Sequence, residues 1–324
     1  MPKLVRSLAV ALVLFALPAS AQEWPAKPIN LYMGFPAGSG VDVVARMLQP
    51  SLEASLGQRL VIDYKTGAGG NIASELVARA APDGYTFLLG TAATHGVNAA
   101  LYKRLPFDVE ADFTPISSLN DVSNVLMINP KVIDASSVKE FIATVKANPG
   151  KYNYASTGNG TGTHLAFAEF VHKAKLDMVH VPYKGGPEAI QGVLAGDTCC
   201  IFNQVQTAIP HWKAGKVRLL GVTTKKRIGA IPDVPTIDEA GLPGYESYTW
   251  FGIFGPKGLD PKVALKFNLA LKAALAEPAI QQKMAELGNT PRYETLEQFK
   301  ATVRTDRLKW ADVVKTVDRK STRL

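Results

Sequence analysis

The stretch Ile29-Asn-Leu-Tyr-Met-Gly-Phe-Pro-Ala-Gly-Ser-Gly-Val-Asp-Val-Val-Ala-Arg-Met-Leu48 decides the fold. Ile29 to Phe35 is apolar and strand-like, and Pro36-Ala37-Gly38-Ser39-Gly40 is a tight loop. From Val41 the spacing changes. Val41, Val44, Ala45, Leu48, Leu52 and Leu56 recur at three and four residues, which places them on one side of a helix. Strand, glycine loop and helix in that order are the opening of an α/β unit.

The pattern repeats along the chain. Leu60 to Tyr64 reads as a strand, Gly67-Ala-Gly-Gly-Asn71 as a glycine loop and Ile72 to Ala81 as a helix. Thr86 to Gly90 is a third strand, ending in the small polar loop Thr91 to Gly96. A second series starts at Val125–Ile128. There Ser137-Val-Lys-Glu140 has the form of a capping box and starts a helix that runs to about Asn148. Tyr152–Ser156 is the next strand, and Thr157-Gly-Asn-Gly-Thr-Gly-Thr163 leads into a helix from His164. Further strands are expected near Met178–Val181, Cys199–Asn203 and Val217–Thr223, with a helix over Pro187–Ala195. Strands alternating with helices imply parallel pairing with helices on both faces. Thr224 to Glu246 is irregular and rich in Pro and Gly, Thr249–Phe254 is one more strand, and the rest is helical. A tail so poor in strands is expected to pack back on the first unit. The expected organisation is domain 1 over residues 22–123 and 248–324, with domain 2 over residues 124–247. A chain of this length is long for one core.

The first residues indicate export. Lys3 and Arg6 precede the apolar run Leu8–Leu17, and Pro18 then leads to Ala19-Ser20-Ala21. Basic start, apolar middle and Ala-x-Ala end describe a secretory signal peptide over residues 1–21, cleaved after Ala21. The run is about half the roughly 20 residues that a spanning helix needs. The periplasm is the expected compartment. Lys3 and Arg6 supply two of the +8 formal charges, leaving +6 for residues 22–324. Such an excess either steers anions or only solubilises the surface. The basic residues form no stripe with aromatic platforms, which argues against nucleic acid. Cys199 and Cys200 are adjacent, and as strand neighbours they are expected as buried thiols on opposite faces.

Chemistry concentrates in three loops: Phe35–Val41, Thr66–Asn71 and Ser156–His164. A helix N-terminus presents unpaired N–H groups and partial positive charge, and glycine lets a ligand approach the backbone. Such a loop holds an anion without a charged side chain, although a tight turn alone also calls for glycine. None of the three ends in Gly-Lys-Ser/Thr, and Phe35–Asp42 is not Gly-x-Gly-x-x-Gly, so no nucleotide cofactor is expected. No Gly-x-Ser-x-Gly elbow occurs, and the five histidines form no metal-ligand spacing. No catalytic residue, metal or cofactor is therefore expected, and the chain does not read as an enzyme. His164 either touches a ligand or caps and packs its helix.

Further stretches carry a resemblance. They are Trp24-Pro-Ala-Lys-Pro-Ile29, Phe35-Pro-Ala-Gly-Ser-Gly-Val-Asp42, Gly67-Ala-Gly-Gly-Asn71, Ala78-Arg-Ala-Ala-Pro-Asp-Gly-Tyr85, Tyr154-Ala-Ser-Thr-Gly158, His180-Val-Pro-Tyr-Lys-Gly185, Ala214-Gly-Lys216 and Pro232-Asp-Val-Pro-Thr236 with Glu239-Ala-Gly241. In this order, over nearly the whole chain, they resemble the Bug-type solute receptors, the extracytoplasmic binding proteins of tripartite tricarboxylate transporters. The resemblance implies a two-domain Venus-flytrap α/β fold, with mixed sheets flanked by helices and a ligand cleft between the domains. It implies that a small carboxylate is held by Phe35, Pro36, Ala37, Gly38, Ser39, Gly40 and Asp42 on one wall. Ser156, Thr157, Gly158, Asn159, Thr161 and His164 are implied on the other wall, with Gly69, Gly70, Thr91, Ala92, Thr94 and Asn203 reaching the cleft. Asn203 stands where the family commonly has Asp, which lowers the expectation of an amino-acid ligand and favours a dicarboxylate or an aromatic carboxylate. Phe35 is placed to pack on an aromatic ring. The implied partners are the membrane subunits of such a transporter, and a monomer is expected. A receptor that reports to a signalling partner would look the same in sequence. A secreted hydrolase would need a nucleophile–base pair that the sequence does not offer.

Overall fold

The computed structural model describes residues 23–102 and 104–321. The signal-peptide expectation for residues 1–21 lies outside the described residues. No helix among the described residues is long and apolar enough to cross a membrane.

The opening stretch folds as read. Strand β1 (Ile29–Met33) buries Ile29, Leu31 and Met33 and leaves Asn30 and Tyr32 half-buried. Helix α1 (Gly40–Leu56) starts at the N-cap Ser39, whose hydroxyl faces the Asp42 N–H at 3.5 Å. It ends at Gly57, which takes a left-handed φ of 73° and donates its N–H to Glu53 O. Gly is the usual residue at such a helix end because it has no Cβ to clash.

Strands β2 (Leu60–Tyr64) and β3 (Thr86–Thr91) flank β1 in parallel. Helix α2 (Asn71–Ala78) lies between them in sequence, and a π-helical turn over Ala93–Val97 follows β3 and runs into α3 (Asn98–Leu101). Strand β4 (Phe113–Val122) then runs almost directly into β5 (Asn124–Ile128). Only Ser123 separates the first sheet from the second, so the chain changes sheets there.

The second sheet collects α4 (Val138–Lys146), β6 (Asn153–Ser156), α5 (Gly162–Ala174), β7 (Val179–Pro182), α6 (Gly186–Ala195), β8 (Cys200–Gln204), α7 (Val205–Lys213) and β9 (Arg218–Val222) around it. The chain returns in β10 (Thr249–Pro256), followed by α8 (Pro261–Ala276), α9 (Pro278–Glu286), β11 (Asn289–Pro291) and α10 (Leu296–Ser321). Strand order is β11-β4-β10-β3-β1-β2 in the first sheet and β7-β6-β8-β5-β9 in the second. Both sheets are mixed. In the first, β10 runs antiparallel to β3 and β4. In the second, β5 runs antiparallel to β8 and β9.

Each sheet is covered on both faces. One face of the first sheet packs α1, α8 and α9 through Val44, Leu48, Phe267, Leu271 and Met284. The other packs α2 and α10 through Val77, Phe254, Phe299 and Val303. In β5, Leu126 and Ile128 join the core beneath α4 and α5, while Val125 and Met127 join the core beneath α6 and α7. Period-two alternation of an all-apolar strand thus feeds two cores.

Two expectations are corrected. Strand β4 is absent from the sequence reading because it is rich in Ser and Asn. Its buried Ser117 and Ser118 hydroxyls donate to the carbonyls of Glu294 and Arg292 at 2.9 and 2.7 Å. The two cysteines do not point apart: their Sγ atoms lie 3.2 Å from each other in one core. Cys199 precedes β8, so strand alternation does not apply to the pair.

Candidate functional site

The two sheets face each other across a cavity of about 30 Å³. From the first sheet's side, α1 aims its N-terminus at the cavity, and Phe35, Ser39, Gly40 and Val41 line it. An α-helix leaves its first N–H groups without intrahelical acceptors, here those of Gly40 and Val41. From the second sheet's side, α5 presents Gly162 and Thr163, and α6 presents Gly186. Three helix N-termini from two sheets therefore meet at one point, each contributing partial positive charge. No ionisable side chain is among the lining residues.

The α5 wall is built from hydroxyls. Thr161 is the N-cap of α5, and its Oγ1 donates to Gly158 O at 2.8 Å. Thr163 Oγ1 lies 3.0 Å from Thr161 Oγ1 and 3.0 Å from Thr157 Oγ1, and it accepts from the Thr157 N–H at 3.0 Å. All three threonines line the cavity. Thr91, Thr207 and Thr249 add more hydroxyl-bearing residues, Gln204 a carboxamide, and Phe251 with Phe35 the apolar surface.

Several expected residues stand one layer back. Asp42 is buried and turns inward: its carboxylate accepts from Gly38 N at 2.8 Å, Tyr64 Oη at 2.7 Å and Arg46 Nε at 2.9 Å. It fixes the loop, and Arg46 neutralises it. Burial and the bond to Asp42 push the Tyr64 phenol up, so it stays a donor. Thr94 clamps Thr91, accepting from the Thr91 N–H at 3.0 Å and donating to its carbonyl at 3.1 Å. Ala92 is buried beside them, while its neighbour Ala93 reaches the lining. Asn203 donates from Nδ2 to Thr207 Oγ1 at 2.9 Å, so it positions a lining residue rather than lining the cavity itself.

Ser156 lies behind the threonines, with its Oγ 2.6 Å from His180 Nε2. His164 Nδ1 accepts from the Gly160 N–H at 3.1 Å, which places the ring proton on Nε2. The His164 ring stacks on His180 with centroids 3.9 Å apart, and His180 continues onto Tyr154. Burial pushes His164 down to about 4. Burial, with His164 beside it, pushes His180 down to about 3. Both rings are neutral at pH 7 and act as packing beneath the wall.

Pro36, Gly38 and Asn159 meet the opposite wall beside the lining, and Ala37 and Gly158 are not among the lining residues. A Cβ on Gly185 would meet the Pro36 ring at 2.6 Å, and one on Gly69 would meet Asn159 O at 3.1 Å. These are contacts between the two walls. Gly70 is not at the cavity: its Cα faces Phe35 and Thr94. In the third loop expected from sequence, Thr66–Asn71, Gly69 meets the opposite wall and Gly70 backs Phe35, but no residue of it lines the cavity, and the Gly185–Gly186 turn takes its place as the third helix start. Val41, Gly162 and Thr163 lie within the loops the sequence singles out, and Ala93 within Thr91–Gly96, although none was named as a ligand contact. Sequence reading missed Gly186, Gln204, Thr207, Thr249 and Phe251. Gly186 follows a strand and precedes a helix, a signal that was available. Thr249 and Phe251 reach the cavity only through the long-range return of β10.

The comparisons agree with this architecture. A family model described as "Tripartite tricarboxylate transporter family receptor" matches residues 44–318. The chain is 34% identical to Protein BugT of Bordetella pertussis over 301 residues, 93% of this chain and 92% of that protein. Among solved structures, the R. palustris protein Rpa4515 with adipate gives a TM-score of 0.88 at 31% identity, covering 91% of this chain and 98% of that one. MatC (Rpa3494) from Rhodopseudomonas palustris with bound malate gives 0.83 at 30% identity, covering 90% and 100%. The protein is a two-domain periplasmic solute-binding receptor, and it belongs to the tripartite tricarboxylate transporter receptor family.

Proposed function

We propose that the protein captures a small carboxylate between its domains and delivers it, chemically unchanged, to the membrane subunits of a tripartite tricarboxylate-type transporter. The observation that carries this reading is the meeting of three helix N-termini in one cavity free of ionisable side chains. Such a cavity suits an anion bound by backbone amides and hydroxyls. Hydrogen bonds to a charged group contribute about 1.5–3 kcal/mol each. Three or four of them, with apolar burial on Phe35 and Phe251, reach roughly −8 kcal/mol, a micromolar Kd.

Asn203, the ground on which the sequence favours a dicarboxylate or an aromatic carboxylate, is held by Thr207 and does not line the cavity. The solved relatives with adipate and malate support the first class, and Phe35 and Phe251 in the lining admit the second. The proposed domains divide near Ser123 and Thr249, which makes the two crossings the hinge. Thr223 ties the two crossings together from within domain 2, donating its N–H to Asn124 O at 2.9 Å and accepting from the Ser247 N–H at 2.8 Å. A cavity of about 30 Å³ holds water but no multi-carbon acid, so the walls part on ligand entry. The proposed form is a monomer, secreted by a signal peptide over residues 1–21, with no cofactor.

The test is calorimetric titration of protein stripped of carried-over ligand against aliphatic and aromatic mono-, di- and tricarboxylates. Micromolar binding of at least one is expected, and failure of all of them would sink the proposal.

A further inference from the structure

The only two cysteines of the chain, Cys199 and Cys200, are adjacent and fully buried. The structure holds both as thiols, with their Sγ atoms 3.2 Å apart. Carbon atoms in contact rest about 3.5–4.0 Å apart, and sulfur is the larger atom, so the pair is pressed closer than unbonded sulfurs rest. Asn153 gathers them. Its carbonyl accepts from Cys199 Sγ at 2.9 Å and lies 3.8 Å from Cys200 Sγ, and its Oδ1 accepts from the Cys199 N–H at 3.2 Å. Tyr154, Phe167 and Phe202 belong to the core that encloses them. Burial and the Cys199 thiol beside it push the Cys200 thiol up, so the folded protein offers no thiolate there. The compartment is a second, independent observation. A periplasmic receptor folds where disulfides form and persist, and neither cysteine has another partner in the chain.

We propose that Cys199 and Cys200 are joined to each other as a disulfide during export, before the core closes over them, and that folding then seals the bond. This goes beyond carboxylate binding and does not depend on it. The oxidant is an external disulfide. One cysteine thiolate attacks it, forming a mixed disulfide and releasing one oxidant thiol. The neighbouring cysteine thiolate then attacks the cysteine sulfur of the mixed disulfide and releases the other. Two protein thiols give up two electrons and two protons, and the external disulfide is reduced to two thiols. Linking neighbours closes almost no loop, so the bond removes little chain entropy and adds little stability. Adjacent Cα atoms stand about 3.8 Å apart, short of the roughly 4.4–6.8 Å common in disulfides, so the ring is strained and readily reduced. Burial is what keeps reductants from it. The gain is chemical: each thiol occupies the other while the chain is still open to disulfides with other molecules. The pair stands at the start of β8 and the cavity residue Gln204 at its end, so the bond leaves the ligand site alone.

The test exports the full chain into the periplasm of a bacterial host, behind its own first residues or a host signal, and keeps a second sample without a signal in the cytoplasm. Each is alkylated in denaturant at the moment of lysis and weighed by mass spectrometry, with and without prior reduction. The exported protein is expected to take no alkyl group until reduced and two afterwards, while the cytoplasmic protein takes two throughout. Dithiothreitol is expected to leave the folded exported protein bonded and to reduce it once urea is added. Exported protein that takes two alkyl groups without reduction overturns the inference, as does one whose cysteines are found joined to other molecules. Reduction of the folded protein as fast as in urea overturns the sealing by the fold. No ligand enters these measurements, so their failure is distinct from failure of the receptor reading.

Discussion

The loops Phe35–Gly40 and Gly67–Gly70 leave adjacent parallel strands of one sheet, and each leads into a helix. Both are glycine-rich, and from residue types alone both read as anion cradles. In the first, the backbone faces the cavity, and Ser39 and Gly40 line it. In the second, glycine serves the packing of the first. Gly70 takes a φ of 93° and sits under Phe35, where a Cβ would approach the ring at 3.4 Å. Gly34 in turn packs on the backbone of Gly70. The absence of a side chain leaves the backbone bare toward the cavity in one loop and makes room for a neighbouring chain segment in the other. Helix capping marks the same division: α1 has a side-chain cap in Ser39, and α2 has none.

The contrast is breakable by mutation. Gly34→Ala should have the largest effect, because its Cβ would meet Gly70 O at 2.9 Å and the Gly70 Cα more closely still. Backbone cannot swing aside as a side chain can, so a loss of about 3 kcal/mol is expected in denaturant unfolding. Gly185→Ala comes next and should act on affinity instead. Its backbone is extended and accepts any residue, while its Cβ would strike the Pro36 ring at 2.6 Å only when the walls are closed. About 2 kcal/mol against closure corresponds to roughly thirtyfold weaker carboxylate binding in calorimetry, with the unfolding midpoint unchanged. Ser39→Ala should be the mildest, with about 1 kcal/mol of stability lost with the cap and a few-fold loss of affinity. If Gly34→Ala lowered affinity at full stability, the division between the two loops would not hold.

Much of the architecture was legible because it is local. The spacing of Val41, Val44, Leu48 and Leu52 reports a helix face without reference to the rest of the chain, and Ser137 with Glu140 marks a helix start. Ser137 does cap α4, although the Glu140 carboxylate accepts from Ser136 N and Oγ rather than from the cap residue itself. Strand β4 was illegible for the opposite reason. Its Ser117 and Ser118 hydroxyls and its Asn120 Nδ2 find acceptors some 170 positions away, and no local pattern announces such partners. The candidate site divides in the same way. The starts of α1 and α5 could be nominated from strand–loop–helix order. Gln204 could not, because its meaning depends on facing Gly40 from the other sheet.

The uncharged lining has a consequence for how the receptor works as ionic strength changes. Field from aligned amides acts at contact range and is hardly screened, whereas the +6 charge of residues 22–324 acts over a Debye length, about 10 Å at 0.1 M salt. Added salt should therefore slow capture and leave release alone. Stopped-flow measurements across salt would then show the association rate constant falling while the dissociation rate constant stays level. A receptor of this build holds its cargo for the same time in dilute and in saline surroundings.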